Sequence, residues 1–470
     1  MSGSRTLLIA FVILLPAASV WSGTHAAASP VRDRESWSRR YDGTGRDDYP
    51  WFVAVSPDGT SVFVTGRSYG ATDPPGFDFA TTAYDAVTGR TLWTRRYDGP
   101  GHGWDTPSDL AVSPDSSAVF VTGYSVGLGT AGDAATVAYD AASGAVLWVH
   151  RYEGPSDGAD DTNETAVALA MSSDGSVLFM FGGGETEGFV RVAFDAATGA
   201  ELSLTSFGDA VDASISALEV SPDGSTVFVT GSRYFPRTSD DFITAAYDAA
   251  TGTELWTSRY NGPGSDNDSP LAFGISPDGT TVFVMGGSIG SGMRAADATV
   301  AYDAATGDRI WVRRFHTADI GAIADAPLAV APDGSAVYVT DARGRRRAST
   351  DFVTFAYDAA TGATLWERGY NSRGDRPDYG GAVAVSADGS TAFVSGTSFG
   401  ATSRADIVTV AYDAATGVRL WVRRYDGRAG GGDSVGAVAA SPNGSAVFVT
   451  GITQTLSDES DFATFAYTTT

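Results

Sequence analysis

The chain has 470 residues, a formal charge of −25 and no Cys. An acidic surface repels nucleic-acid phosphates and anionic lipid, so no nucleic acid is expected as a partner. The lack of Cys excludes disulfides, thiolate metal sites, thiol catalysis and a cysteine-linked lipid anchor.

In chain order, the first feature is "MSGSRTLLIAFVILLPAASVWSGTHAAAS". Arg5 precedes an apolar run from Leu7 to Val20, and Ala26-Ala27-Ala28 follows. This order reads as a Sec-type signal peptide over residues 1–28 and predicts a secreted, extracellular mature chain. The run is shorter than the roughly 20 residues that span a bilayer, and no later segment is a candidate membrane span.

Next comes "SWSRRYDG", residues 36–43, an isolated strand pattern. Eight repeats follow, most of them about 55 residues long, marked by SPDG-like turns at Asp58, Asp115, Asp174, Asp223, Asp278, Asp333, Asp388 and Asn443. Each repeat runs through the same units: an apolar stretch, the SPDG turn, a "TVFVTG"-like stretch, a variable loop, "DFVTFAYD", the turn "DAATG", and "TLWVRRYDG". The stretches are rich in Val, Thr, Phe, Tyr and Trp, so each predicts a strand. Both turns pair an Asp that bonds its own backbone with a Gly that accepts positive φ, the chemistry of a hairpin with a bulged Gly.

Four antiparallel strands per repeat, eight times over, predict an all-β, eight-bladed β-propeller filling residues 29–470 as a single domain. The chain ends at "DFATFAYTTT", a third strand with no fourth. The N-terminal strand is expected to complete that last blade and leave no open sheet edge. The third repeat, about residues 164–208, is the irregular one, with Ser203 where the others carry Trp.

The spacing A-x-D-x-x-T-G-x-x-x-W occurs in "AYDAATGATLW", residues 356–366. It recurs as Ala83-Asp85-Thr88-Gly89-Trp93, Ala246-Asp248-Thr251-Gly252-Trp256, Ala301-Asp303-Thr306-Gly307-Trp311 and Ala411-Asp413-Thr416-Gly417-Trp421. Ser143 replaces Thr in the copy that ends at Trp148. On these residues the chain resembles the PQQ-like (quinoprotein-like) and SBBP-like classes of secreted bacterial β-propeller repeat proteins, over nearly all of its mature length. The resemblance implies that Trp37, Trp93, Trp148, Trp256, Trp311, Trp366 and Trp421 dock neighbouring blades. Alcohol-oxidising quinoproteins commonly hold PQQ and calcium beneath a vicinal cysteine pair, with long insertions between blades; this chain has neither feature. PQQ is therefore not an expected cofactor, and none is assigned. A second group of PQQ-like propellers serves as non-enzymatic assembly scaffolds.

The candidate ligand or cation ring is acidic. Asp48, Asp105, Glu164, Asp268, Asp378 and Asp433 lie ten residues before their turn residues, where each first strand begins, and only Ala213 and Ile323 break the series. Pseudo-symmetry would set the six carboxylates around one mouth of the central channel, with calcium as the metal they would attract. The competing reading is that each Asp caps the loop that leads into its own strand. Asp78, Asp133, Asp241, Asp297, Asp351, Asp406 and Asp461 open the third strands, and that regularity reads as structural. Four G-x-S-x-G matches centre on Ser68, Ser125, Ser288 and Ser398, but none leads into the helix that a nucleophile elbow requires. The sparse His residues (His25, His102, His150 and His316) have no metal-ligand spacing. "RGRRRAS", residues 343–349, is the one basic cluster and reads as a solvated loop that could also grip an anion.

The leading reading is a monomeric, non-catalytic binding or scaffold propeller. It would hold a protein, glycan or cell-envelope partner on the loop face and the acidic mouth. The alternatives are a quinoprotein-like or other cation-dependent propeller enzyme, and a self-associating surface-layer module. Function is expected in the loops where repeats differ, near 67–78, 124–133, 232–241, 287–297, 341–351, 397–406 and 452–461.

Overall fold

The computed structural model describes residues 35–469, apart from 71–75, 129–131, 155–163, 173, 185–187, 208–213, 265, 291–293, 317–327, 345–349, 373–375, 401–403, 428–430 and 456–458. In it each repeat forms one four-stranded antiparallel sheet, and eight such sheets make an eight-bladed propeller. Blade 1 shows the pattern with strands Asp48–Val55, Ser61–Tyr69, Phe77–Asp85 and Thr91–Tyr97. The proposed signal peptide, His25, Ala213 and Ile323 lie outside the described residues.

The turns form for the reasons their sequences give. In SPDG, Asp58 Oδ1 accepts from Ser56 Oγ (2.6 Å), Thr60 N (2.9 Å) and Thr60 Oγ1 (2.9 Å), while Gly59 takes φ 72°. In DAATG, Asp358 Oδ1 accepts from Thr361 N (2.8 Å) and Thr361 Oγ1 (2.7 Å). A register shift between Ala356 and Tyr357 marks the bulge that the turn produces.

The first strands of successive blades touch one another in a ring and are therefore innermost. Cores of Val, Phe, Tyr and Trp fill the seams between sheets, as where Trp366, Tyr338 and Phe352 of blade 6 meet Val394 and Tyr412 of blade 7. Six of the seven docking Trp residues lie on the turn of the following blade, not on their own. Trp366 Nε1 donates to Ala414 O (2.8 Å), and the same bond links Trp37 to Ala86, Trp93 to Ala141, Trp148 to Ala196, Trp256 to Ala304, and Trp311 to Ala359. Gly417 has φ 66°, and a Cβ there would sit 2.6 Å from the Trp366 ring. The turn Gly thus meets two demands at once, a left-handed backbone and room for the indole. Trp421 faces the chain end and packs on Phe393 and Tyr467.

Blade 3 departs from the pattern. Ser203 takes the Trp position, and the buried Arg191 reaches it through Nη2 (3.1 Å) with its guanidinium 5.3 Å from the Phe179 ring. The ring closes in blade 8, where Glu35–Tyr41 pairs antiparallel with Ser460–Thr468. No helix among the described residues is long and apolar enough to cross a membrane.

Trp366→Ala should lower stability by about 3–5 kcal/mol in urea unfolding, because it empties a seam and leaves the Ala414 carbonyl with the Tyr338 hydroxyl in place of two donors. A chain that begins after Tyr41 should melt lower and aggregate by light scattering, because it exposes the edge of Ser460–Thr468.

Candidate functional site

The six carboxylates expected around the channel mouth are turned into the protein. Asp48, Asp105, Asp268 and Asp378 are 0% exposed, and Glu164 and Asp433 are 1% exposed. Five of them accept a backbone N–H from the connection leading into their own strand: Asp48 from Gly43 (2.7 Å), Asp105 from Gly99 (2.6 Å), Asp268 from Gly262 (2.5 Å), Asp378 from Ser372 (2.7 Å) and Asp433 from Gly427 (2.7 Å). A buried amide left unmet would cost about 1–3 kcal/mol, so capping decides where the side chain goes. An exposed ring of six charges at the mouth therefore does not form.

Behind four of the caps lies a polar relay that sequence reading missed. In blade 1, Arg96 of the outer strand reaches Asp78 of the third strand (Nη2, 2.7 Å; Nε, 3.0 Å) and Ser68 of the second strand (Nη1, 2.6 Å). Its Nη1 also approaches Tyr41 OH of blade 8 (3.4 Å). Arg151 repeats the pattern with Asp133, Ser125 and Tyr97, and Arg424 with Asp406, Ser398 and Tyr370. Arg314 binds Ser288 and Tyr260. The G-x-S-x-G serines are these four, buried beneath arginines rather than raised on an elbow. The signal was present as a fixed register of Ser, Asp, Arg and Tyr in successive strands, readable only once the strands were aligned.

The His residues stay apart. His102 Nδ1 pairs with Asp98 (2.9 Å), whereas His150 packs against Phe194 with its ring tilted (4.5 Å between ring centres) and lies 3.8 Å from Glu201. The side chains of His316 and of the basic cluster 343–349 lie outside the described residues.

The innermost strands are mostly apolar inside their first residues and, among the described residues, carry no basic side chain. Two acids interrupt them. Asp109 accepts from Leu110 N and from Leu169 N of blade 3 (both 2.7 Å), and Glu219 accepts from Ile275 N of blade 5. Burial pushes Asp109 up to about 7 and Glu219 up to about 8, the latter also raised by the Asp109 charge. Glu219 keeps part of its surface open.

The loop face differs from blade to blade. On blade 1, Arg67 lies over the rings of Phe77 (4.4 Å), Tyr49 (4.9 Å), Trp51 (5.1 Å) and Trp104 (6.0 Å). A bulge between Pro50 and Phe52 presents Trp51 to this group. Arg67 Nε is buried with no hydrogen-bond partner, while Trp104 remains 56% exposed. On blade 4, a cavity of about 630 Å³ is lined by Phe235, Pro236, Arg237, Thr238, Arg259, Asn261 and Arg309. There the Arg259 guanidinium sits 3.8 Å from the Phe235 ring centre and bonds Asp241 and Thr238.

The family model described as outer membrane protein assembly factor BamB matches residues 23–202 and 186–457. Among solved structures, the Dos1 propeller aligns over 93% of this chain and 95% of its own, at 12% identity and TM-score 0.59. Sqt1 from Chaetomium thermophilum, bound to the N-terminus of the ribosomal protein L10, aligns over 91% and 98%, at 13% identity and TM-score 0.54. The quinohemoprotein alcohol dehydrogenase of Comamonas testosteroni aligns over 93% and 76%, at 14% identity and TM-score 0.53. At these identities the likeness is one of fold alone. Compared with curated proteins by sequence, the chain matches none.

Raised carboxyl values mean that the folded chain holds these protons more tightly than the unfolded chain, where Asp and Glu titrate near 3.8 and 4.5. Their stabilising contribution is complete below about pH 4 and is lost as pH rises through the folded values, up to about 8. Turn carboxylates such as Asp174, held at about 2 by its hydrogen bonds, act in the opposite direction, and their contribution is complete just above pH 4. The melting temperature should therefore fall between about pH 5 and pH 8, and Glu219→Gln should reduce that fall while keeping an oxygen for Ile275 N. An unchanged slope in the variant would show that Glu219 titrates as an ordinary carboxyl.

Proposed function

The chain belongs to the PQQ-like propeller family described as outer membrane protein assembly factor BamB, and on that footing we propose that it is an exported binding scaffold whose loop face docks a protein partner. The observation that carries this reading is the Arg67 cluster: four rings around one arginine, with Trp104 left 56% exposed. Trp, Tyr and Arg dominate binding hot spots because they contribute large contact area at a modest entropy cost. Leu128 (77% exposed) and Tyr234 (66%) extend the same face. The family's assembly description supports a scaffold role, and Sqt1, bound to the N-terminus of a ribosomal protein, is a propeller of the same fold that holds a peptide segment.

The quinoprotein reading meets a chemical obstacle. PQQ is a tricarboxylate, and a site for it needs cationic donors near the axis. The described innermost strands offer none, and Asp109 has both oxygens on backbone amides. These residues do not fit the quinone.

Trp104→Ala should weaken partner binding by about 2 kcal/mol or more, roughly 30-fold in Kd, with an unchanged melting temperature. The measurement is co-purification followed by titration of the captured partner against wild type and variant. Equal affinity would move the site elsewhere. Dye reduction by the protein with PQQ, calcium and an alcohol or sugar would overturn the non-catalytic reading.

A further inference from the structure

Three consecutive seams carry carboxylate clusters. Between blades 1 and 2, Asp78 opens a third strand, Asp98 follows the outer strand of the same blade, and Asp105 begins the next blade. One oxygen from each lies within 4.8 Å of the others. The same positions converge as Asp406, Asp426 and Asp433 between blades 7 and 8, and as Asp461, Asp42 and Asp48 between blades 8 and 1.

Hydrogen bonding leaves these clusters incomplete. Asp78 uses Oδ2 for Arg96, and Asp98 uses Oδ2 for His102. Asp78 Oδ1 and Asp98 Oδ1 are both buried with no hydrogen-bond partner, and Asp78 is only 4% exposed. At the other two seams, Asp48 Oδ1 and Asp433 Oδ1 lie beside the Ser68 and Thr453 hydroxyls but outside hydrogen-bond geometry. Arg96, Arg424 and Arg40 each pair with one carboxylate of a trio, His102 also pairs with Asp98, and Arg96 also acts on Asp48, so the carboxylates still outnumber the cations that face them. Burial pushes Asp48, Asp105 and Asp461 up to about 6, the response of carboxylates whose charge is poorly compensated.

We propose that these three seams are divalent-cation sites, one ion per seam, and that calcium is the ion they fit. Oxygens sharing one calcium at 2.3–2.6 Å are at most about 5 Å apart, which the trios satisfy. The donors are all hard oxygens, and water can complete six to eight ligands. Two other seams carry Asn in the middle position and so have one negative charge fewer. Asn261, with Asp241 and Asp268, takes the middle position between blades 4 and 5, and Asn371, with Asp351 and Asp378, takes it between blades 6 and 7. An Asn there is evidently compatible with the fold, and it leaves two carboxylates instead of three. Each bound ion would tie a third strand to the first strand of the next blade. This proposal does not depend on the docking reading.

The test is calorimetric titration of chelator-treated protein with calcium chloride, alongside melting curves in millimolar calcium. The wild type should bind three ions and melt several degrees higher. Asp98→Ala, which removes the oxygen, should bind two. Asp42→Ala/Asp98→Ala/Asp426→Ala should bind none and melt at the same temperature with or without calcium, its sheet content checked by circular dichroism. If the triple variant does not fold, the stoichiometry of Asp98→Ala alone decides. No heat and no rise in melting temperature for the wild type, or three ions bound by Asp98→Ala, would overturn the proposal.

Discussion

The architecture depends on an indole lying across a glycine. Trp366 covers Gly417 and donates to Ala414, and five other tryptophans repeat that bond from one blade to the next. The contact fixes the spacing between sheets because the ring fills the seam and its N–H donates to a carbonyl of the next blade. It also explains the DAATG turn. Asp holds the hairpin, and Gly supplies both the positive φ and the flat surface on which the neighbour rests. Blade 3, with Ser203 in place of Trp, meets blade 4 differently and brings Arg191 into its interior.

A second constraint is electrostatic. A chain with a charge of −25 buries a series of aspartates, and each needs a donor. The relay of Arg96, Asp78, Ser68 and Tyr41 meets that need within a blade and reaches back across the seam. It accounts for residues that otherwise suggest chemistry. The G-x-S-x-G serines are anchors for arginine, and the strand-opening aspartates cap backbone amides. Repetition in every blade marks residues that serve the blade, and departures from it mark where function can reside: the Arg67 cluster, the Arg259 cavity, and the three seams with a full set of carboxylates.

Much of the fold was legible in the sequence. The strands alternate with turns whose Asp and Gly chemistry is local, so eight repeats and their hairpins follow from residue order. The orphan strand at 36–43 and the missing fourth strand at the C-terminus together predicted closure, and Glu35–Tyr41 does pair with Ser460–Thr468. The site was less legible. The acidic series was visible, but its orientation was not, because capping by Gly43 or Gly99 depends on the path of a connection rather than on residue type. The carboxylate trios draw on three segments and two blades, and the Arg67 cluster joins residues from 49 to 104.

The sequence by itself determined the number of blades, the strand order within each, and the residues that would fasten them, because these rest on local turn chemistry and a fixed repeat. Tertiary structure alone decided which oxygens face a backbone amide, which face an arginine and which face only one another. Those outcomes depend on how one blade presents its third strand and outer connection to the first strand of the next. That geometry arises only when the ring is closed.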